Sequence, residues 1–480
     1  MHIENLLYEW VIDDVQPMLL FKSTAFSRFV NALNSSFEIP NEKRFKQNIN
    51  KACGIVTESI KNILNETSFV SITCDLWTSR SKQGFLSVTC HYITKSFELK
   101  EIILAIKYLQ YPHTANRIQE ALEDILNQWN LKEKIFFCTT DNAANMKKML
   151  NQISWIKRLP CTAHTIQLVV GKGLLSAEIL IARAKRVINF FSTPKQNERL
   201  IAAQKDNSND LDNNLAKESR KYFLHTITDV DTRWNSTYFA WERLILLKPY
   251  IDNVLSTIAL SKDTETKKDL KQLKEINLTD DEYECIRDLI EVLGPFAEVT
   301  EYLEGSHYST MGFMCPAVEK LKNEFAPLVL NKIHANVDLE SPDDAFDEHN
   351  FEDALEENEP GAIRKIKINE PVNTNGLVDS VKSNLYKSLQ KYFPVIKKEG
   401  ILAAILDPRW KNLSFATIEE RKLAQKDFRD MYEAAKTTNF TTIENSNNGL
   451  LGIKKKKNCI YQRSILESED IISSKDDEVN

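Results

Sequence analysis

Ser71-Ile72-Thr73-Cys74-Asp75-Leu76-Trp77-Thr78-Ser79 and Phe136-Phe137-Cys138-Thr139-Thr140-Asp141-Asn142-Ala143-Ala144-Asn145-Met146 are the two stretches whose reading decides the fold. In each, an apolar, β-branched run of strand length stops on an aspartate followed by small or polar residues. A carboxylate at the end of a core strand is costly unless a metal, a cation or a ring of donors meets it. Two such aspartates, Asp75 and Asp141, can share a divalent cation, because hard oxygen ligands hold magnesium against phosphate oxygens. The plainer alternative is that both are N-caps of the segments that follow.

Outward from these stretches, residues 69–76, 84–94 and 99–109 alternate or run apolar at strand length, with turn residues between Ser79 and Gly84 and at Lys95-Ser96. A fourth strand is expected at 135–140 and a short fifth near 156–159. Helical spacing predicts helices over 115–129, started by Thr114, over 142–151 and over 162–191. Three strands in hairpin order, then alternating helices and strands, make an α/β mixed sheet covered on both faces. Residues 5–66 also carry helical spacing, as in Leu7, Trp10 and Val11, then Phe26, Phe29, Val30 and Leu33. Beyond Asn207 the strand signal fades, and from Trp234 to about residue 331 apolar residues return at helical spacing, for example Leu244, Leu247, Ile251 and Val254.

A chain of 480 residues that is 42% hydrophobic is long enough for two or three cores. Neither a run of apolar residues long enough to span a membrane nor a signal peptide is read, so a soluble, intracellular protein without a membrane partner is expected. Eight cysteines without any Cys-x-x-Cys pair read as reduced thiols. The net charge of −6 argues against nucleic-acid binding until its distribution is considered. Eleven acids and no Lys or Arg lie between Asp338 and Glu359, so the rest of the chain carries +5. That tract reads as a disordered, solvated insert, and the tail after Ile465, with six acids against Lys475, reads likewise.

The DLWTS strand at Asp75, the TTDNAANM turn at Asp141, the helix start Cys161-Thr162-Ala163-His164-Thr165-Ile166-Gln167-Leu168 and the element Thr232-Arg233-Trp234-Asn235-Ser236-Thr237 follow in that order. Together they resemble the hAT superfamily of DNA transposases and their domesticated relatives, the BED-finger and RICESLEEPER-like proteins. Further similarity lies at Phe37 to Ile49, Leu303 to Tyr308 and Ala403 to Arg409. The resemblance implies an RNase H-like core with a large all-helical insertion. On that basis the chain divides into an N-terminal helical segment at 1–66, an RNase H-like core at 67–194, an insertion domain at 195–435 interrupted by an acidic tract at 337–360, and a tail at 436–480.

The resemblance also implies site residues. Asp75 and Asp141 fall on the first two carboxylates of a catalytic Asp-Asp-Glu triad that binds divalent ions, magnesium being the cofactor if activity or metal binding survives. His164 matches a residue placed to contact the scissile phosphate, with a satisfied core histidine as the alternative; Cys161 reads as packing. No zinc is expected, since Cys161 and His164 have no second pair. Arg233 and Trp234 match a DNA-contacting pair whose tryptophan stacks on a displaced base; filling a core is the alternative for Trp234. The family's glutamate and dimerisation segment, with its Ser-x-x-x-Glu-Arg-x-Phe-Ser pattern, are not read in this chain, nor is the BED finger. Glu420-Arg421 is read as a charged helix face.

The expectation is therefore a transposase-derived, catalytically inactive protein of the nucleus with a DNA-binding role, Lys454-Lys455-Lys456-Lys457 being a candidate import signal. Two alternatives stay open: a nuclear module that binds proteins through its helices and acidic insert, and a truncated fragment of a transposase that cuts DNA by two-metal phosphoryl transfer.

Overall fold

The computed structural model describes residues 2–209, 223–228, 234–305, 308–327, 370–394 and 397–439. Arg233, the acidic tract, the four-lysine run and the tail from 440 on lie outside the described residues, whereas 436–439, expected in the tail, are helical. By its contacts the chain separates into two compact units, Met1–Cys138 with Met149–Lys157, and Thr139–Lys148 with Arg158–Asn480.

The first unit begins with α1 (His2–Asp13), a 3-10 turn (Met18–Lys22), α2 (Thr24–Leu33) and α3 (Glu42–Glu66). The starts of α2 and α3 are chemically marked: the Ser23 hydroxyl accepts from Phe26 N at 3.2 Å and the Asn41 side chain from Arg44 N at 2.8 Å. Tyr8, Val11 and Phe45 form a small core of their own.

Then the period changes to two. β1 (Val70–Thr78), β2 (Gly84–Ile93) and β3 (Leu99–Leu109) form antiparallel pairs, with register partners such as Ile72↔Cys90 and Cys74↔Val88 and an irregularity between Val88 and Thr89. Every second residue is buried: Val70, Ile72 and Cys74 on β1, and Leu86, Val88 and Cys90 on β2. On this side packs α4 (Ala115–Gln128), which buries Ile118, Leu122, Ile125 and Leu126 and starts at Thr114 as its spacing predicted. The indole of Trp129 closes that helix by donating to Leu104 O at 3.1 Å.

With β4 (Ile135–Thr140) and β5 (Lys157–Pro160) the sheet has the order β3-β2-β1-β4-β5, a mixed sheet flanked by helices and of the RNase H-like type. Val70 N donates to Lys134 O at 2.9 Å, just ahead of β4. The helix after β4 is α5 (Ala144–Gln152).

On β1 the structure departs from the sequence reading. The strand does not stop on Asp75 but continues to Thr78, because pairing with β2 persists through Asp75↔Ser87 to Thr78↔Gly84. Asp75 is exposed, so its charge stays hydrated and carries no burial cost that a metal must offset.

The second face of β1–β3 is half-buried to exposed and largely polar. On it His91 has no hydrogen-bond partner for Nε2, and Glu101 stands 4.0 Å from Nδ1. Burial lowers the His91 pKa from its ordinary value, and Glu101 opposes this in part. With the folded pKa below the unfolded one, the contribution to stability is present above about pH 6.5 and lost as pH falls through the folded value. Thermal melts at about pH 7 and pH 5 should therefore show a larger loss for the parent protein than for His91→Gln; equal losses would remove His91 as the cause.

The second unit is helical beyond β5. The single helix expected over 162–191 is two, α6 (Thr162–Leu174) and α7 (Glu178–Phe191), separated by a 3-10 turn (Leu175–Ala177). Gly171 and Gly173 precede the break, and glycine weakens a helix interior. Helix α8 (Pro194–Asn209) opens on proline, which lacks only an N–H that a first helical residue leaves unused. It is followed by α9 (Trp234–Ala259), α10 (Thr264–Ile276), α11 (Asp280–Leu303), α12 (Met311–Phe325), α13 (Leu377–Tyr392), α14 (Lys397–Leu406) and α15 (Ile418–Asn439). No strand occurs among the described residues of this region, as helical spacing predicted.

One continuous core joins these helices, with Trp241, Leu247 and Ile251 on α9, Ile286, Leu289 and Phe296 on α11, and Val381, Leu385 and Leu389 on α13 fully buried. Helix α13 packs closely on α6, where a Cβ at Gly173 would lie 2.4 Å from Leu385 Cδ2. Thr162–Phe191 is long and apolar enough to cross a membrane by length and composition alone. Its buried side chains, among them Ile166, Val169, Val170, Val187 and Phe191, belong to this core.

Candidate functional site

Asp141 follows β4 directly, as the sequence suggested. Its Oδ1 accepts from Ala143 N at 3.2 Å, an Asx turn that delivers the chain into α5. This is a turn ahead of the helix and not the N-cap bond of the alternative reading, since α5 starts at Ala144; the carboxylate is half-buried.

The turn is held by a residue to which the sequence reading gave no role. Arg158, in β5, donates through Nε to Thr140 Oγ1 at 2.9 Å and through Nη2 to Asn142 Oδ1 at 2.9 Å and to the Asp141 carbonyl. Buried Asn142 continues the network, giving Nδ2–H to Thr165 Oγ1 at 3.2 Å, while that hydroxyl donates to Cys161 O at 2.8 Å. Cys161 N in turn donates to Thr140 O at 2.7 Å. The end of β4, the start of β5 and the first turn of α6 are therefore one hydrogen-bonded assembly within the second unit. A planar guanidinium suits this work, since it presents several donors in a rigid fork. The available signal was a basic residue inside a short apolar strand, Ile156-Lys157-Arg158-Leu159.

His164 is the third residue of α6 and half-buried, at the end of the helix where backbone N–H groups lack intrahelical partners and favour negative charge. Cys161 is the N-cap residue and makes no side-chain cap bond. Asp141, Arg158, Cys161 and His164 all belong to the second unit, whereas Asp75 belongs to the first, on β1 between Thr73 and Trp77.

Trp234 begins α9 and is 8% exposed, within the helical core, its ring edge-on to Tyr238 at 6.3 Å. That placement accords with the core-filling alternative. Glu420 closes a capping box at the start of α15: its Oε2 accepts from Thr417 N at 3.0 Å, and its own N donates to Thr417 Oγ1 at 3.3 Å. Lys397 pairs with it at 2.7 Å and holds its carboxyl below the usual range against a burial that would raise it. Glu420, expected on a charged helix face, lies in the first turn of the helix and completes the cap that Thr417 begins. Among the described residues, no three of His, Cys, Asp and Glu come together as a group able to hold a metal ion.

Residues 73–164 match the model of the ZBED1 RNase-like domain. Curated relatives include the zinc finger BED domain-containing protein RICESLEEPER 2 of Oryza sativa, 23% identical over 49% of this chain and 33% of the relative. The zinc finger BED domain-containing protein 4 of Homo sapiens is 22% identical over 67% of this chain and 26% of the relative. The transposable element Hobo transposase of Drosophila melanogaster is 21% identical over 67% of this chain and 47% of the relative. The chain spans less than half the length of each of these relatives. The matched domain covers both aspartates and Arg158 with its acceptors at Thr140, Asp141 and Asn142, and with the relatives it supports a hAT transposase-derived protein built on an RNase-like domain.

Proposed function

We propose that this chain is a transposase-derived RNase-like protein that contacts DNA in the nucleus and does not cut it. The second half is supported by the donor set among the described residues: two-metal phosphoryl transfer needs several carboxylates around the ions, and no three metal-ligating side chains group together there. Asp75 is exposed on β1, Asp141 spends one oxygen on its own turn, and Glu420 caps a helix. These placements support a reading whose proposed function contains no magnesium-dependent step. Asp75 and Asp141 remain the ligand positions by resemblance alone. The DNA half of the reading, and the nuclear placement, are supported by relatives named as transposases and BED zinc finger proteins.

The test is a supercoiled plasmid incubated with the protein and Mg²⁺ or Mn²⁺. It should stay intact, while a labelled duplex is bound with an affinity that falls steeply as salt rises, by roughly 0.9 log units per log unit of salt for each phosphate contact. A metal-dependent nick abolished by Asp75→Ala would overturn the non-cutting reading and favour the fragment of an active transposase. Failure to bind duplex at low salt would favour the protein-binding module.

A further inference from the structure

The open face of β1–β3 is built unlike a core face. Its cross-strand rows run Ser71–His91–Glu101, Thr73–Thr89–Ile103 and Asp75–Ser87–Ile106, with hydroxyls and charges on the two inner strands where a helix-covered sheet carries Val, Ile and Leu. One row differs. Trp77, Phe85 and Tyr108 are register partners across the three strands, their rings 5.9 Å apart at both steps, stacked at 26° and then edge-on at 66°. Trp77 is 38% and Tyr108 54% exposed. The row lies beside the β1–β2 turn, which carries Arg80 and Lys82, both exposed.

We propose that this aromatic row is a stacking platform for unpaired bases of single-stranded DNA, with Arg80 and Lys82 taking the phosphates alongside. Every base has a π-face, so a row of rings holds successive bases without regard to sequence, and cations beside it supply the attraction that tracks the backbone. The hydroxyls of Ser87 and Thr89, in the next two rows, are within the same face for base edges. A protein helix seated here would strip water from those hydroxyls and from Asp75, which is why a nucleic acid is the better occupant. The platform deepens the DNA-contacting reading and rests on it.

The test uses the full chain, labelled oligothymidylate and a labelled duplex, with the Trp77→Leu/Tyr108→Leu double variant. Oligothymidylate should bind the double variant at least about tenfold more weakly than the parent, with duplex affinity changed less than about twofold. Arg80→Gln should weaken both. Melting curves check that the variant keeps its fold; if the double variant melts early, Tyr108→Leu alone, at an exposed position of the edge strand, carries the same expectation. Equal affinity of parent and variant for oligothymidylate overturns the platform. A parent that binds duplex but not oligothymidylate overturns the platform and leaves the DNA reading standing, and one that binds neither removes both. A parent dimer that the variant abolishes makes the row a contact between copies and overturns the proposal.

Discussion

Replacing Glu282 by alanine should lower the stability of the helical unit by about 3–5 kcal/mol, read as a shift of the urea midpoint at unchanged slope. Glu282 is fully buried and Arg183, its partner from α7, is 2% exposed. Its Oε1 accepts from Arg183 Nε at 2.6 Å and from Val372 N at 2.9 Å, while Oε2 accepts from Arg183 Nη2 at 3.1 Å and from Thr279 N at 2.8 Å. Arg183 Nη2 also donates to Asn277 O at 3.0 Å. One carboxylate thus satisfies a guanidinium, a helix N-terminus and a distant backbone amide. Alanine would leave the cation buried without its carboxylate and two amides without that acceptor, and a buried charge stripped of its counter-charge is the most expensive of these defects.

Two controls separate charge from shape. Glu282→Gln keeps the volume and part of the capping geometry and should fall between parent and alanine. The Arg183→Met/Glu282→Met double variant should lose much less than the sum of the two single methionine variants, because each single leaves a charge stranded and the double leaves none. Strictly additive losses, or an alanine variant within about 1 kcal/mol of the parent, would show that water reaches the pair and that the ion pair is not a main support of α7 on α11.

How far such features can be read without coordinates depends on how local their cause is. The bounds of β3 at 99–109 and β4 at 135–140 were legible because alternation and flanking turn residues lie in the segment itself, and the start of α4 because Thr114 caps it. The motifs at Asp75, Asp141 and Cys161–His164 pointed to the RNase-like core for the same reason: each is a short contiguous string. What escaped was set by distant partners. The continuation of β1 past Asp75 comes from pairing with β2, and the burial of Trp234 comes from helices packed around α9. Thr279 and Glu282 have capping-box spacing, which predicts a helix start. Nothing in that spacing announces a partner 99 residues upstream. Within the candidate site, Asp141 could be named from its position after a strand, whereas Arg158 offered only the signal of a base in a short apolar strand, because its role is defined by acceptors at the end of β4 and in the turn after it.

Arg158→Met should cost on the order of 3 kcal/mol, since three charge-assisted hydrogen bonds are lost and their acceptors are only partly reached by water. The loss has a local signature that a general destabilisation would lack. The guanidinium bridges Thr140 Oγ1, the Asp141 carbonyl and Asn142 Oδ1, so without it the turn that carries the Asp141 carboxylate keeps its internal bonds but loses the clamp to β5, leaving the Cys161 N to Thr140 O bond and the Asn142 to Thr165 bond toward α6. Amide hydrogen exchange should rise at 140–143 and at the start of α6 more than in α9 or α11, whose cores the residue does not touch. Arg158→Lys should recover little, because a single ammonium on a flexible stem cannot hold three acceptors in the fixed geometry of the fork. Asn142→Ala breaks the next link and should raise exchange in the same segment by a smaller amount, and its effect should shrink in the Arg158→Met background, since the two residues serve one network. A lysine variant as stable as the parent, or exchange that rises evenly across the helical unit, would mean that the turn is held by packing and that Arg158 is a bystander.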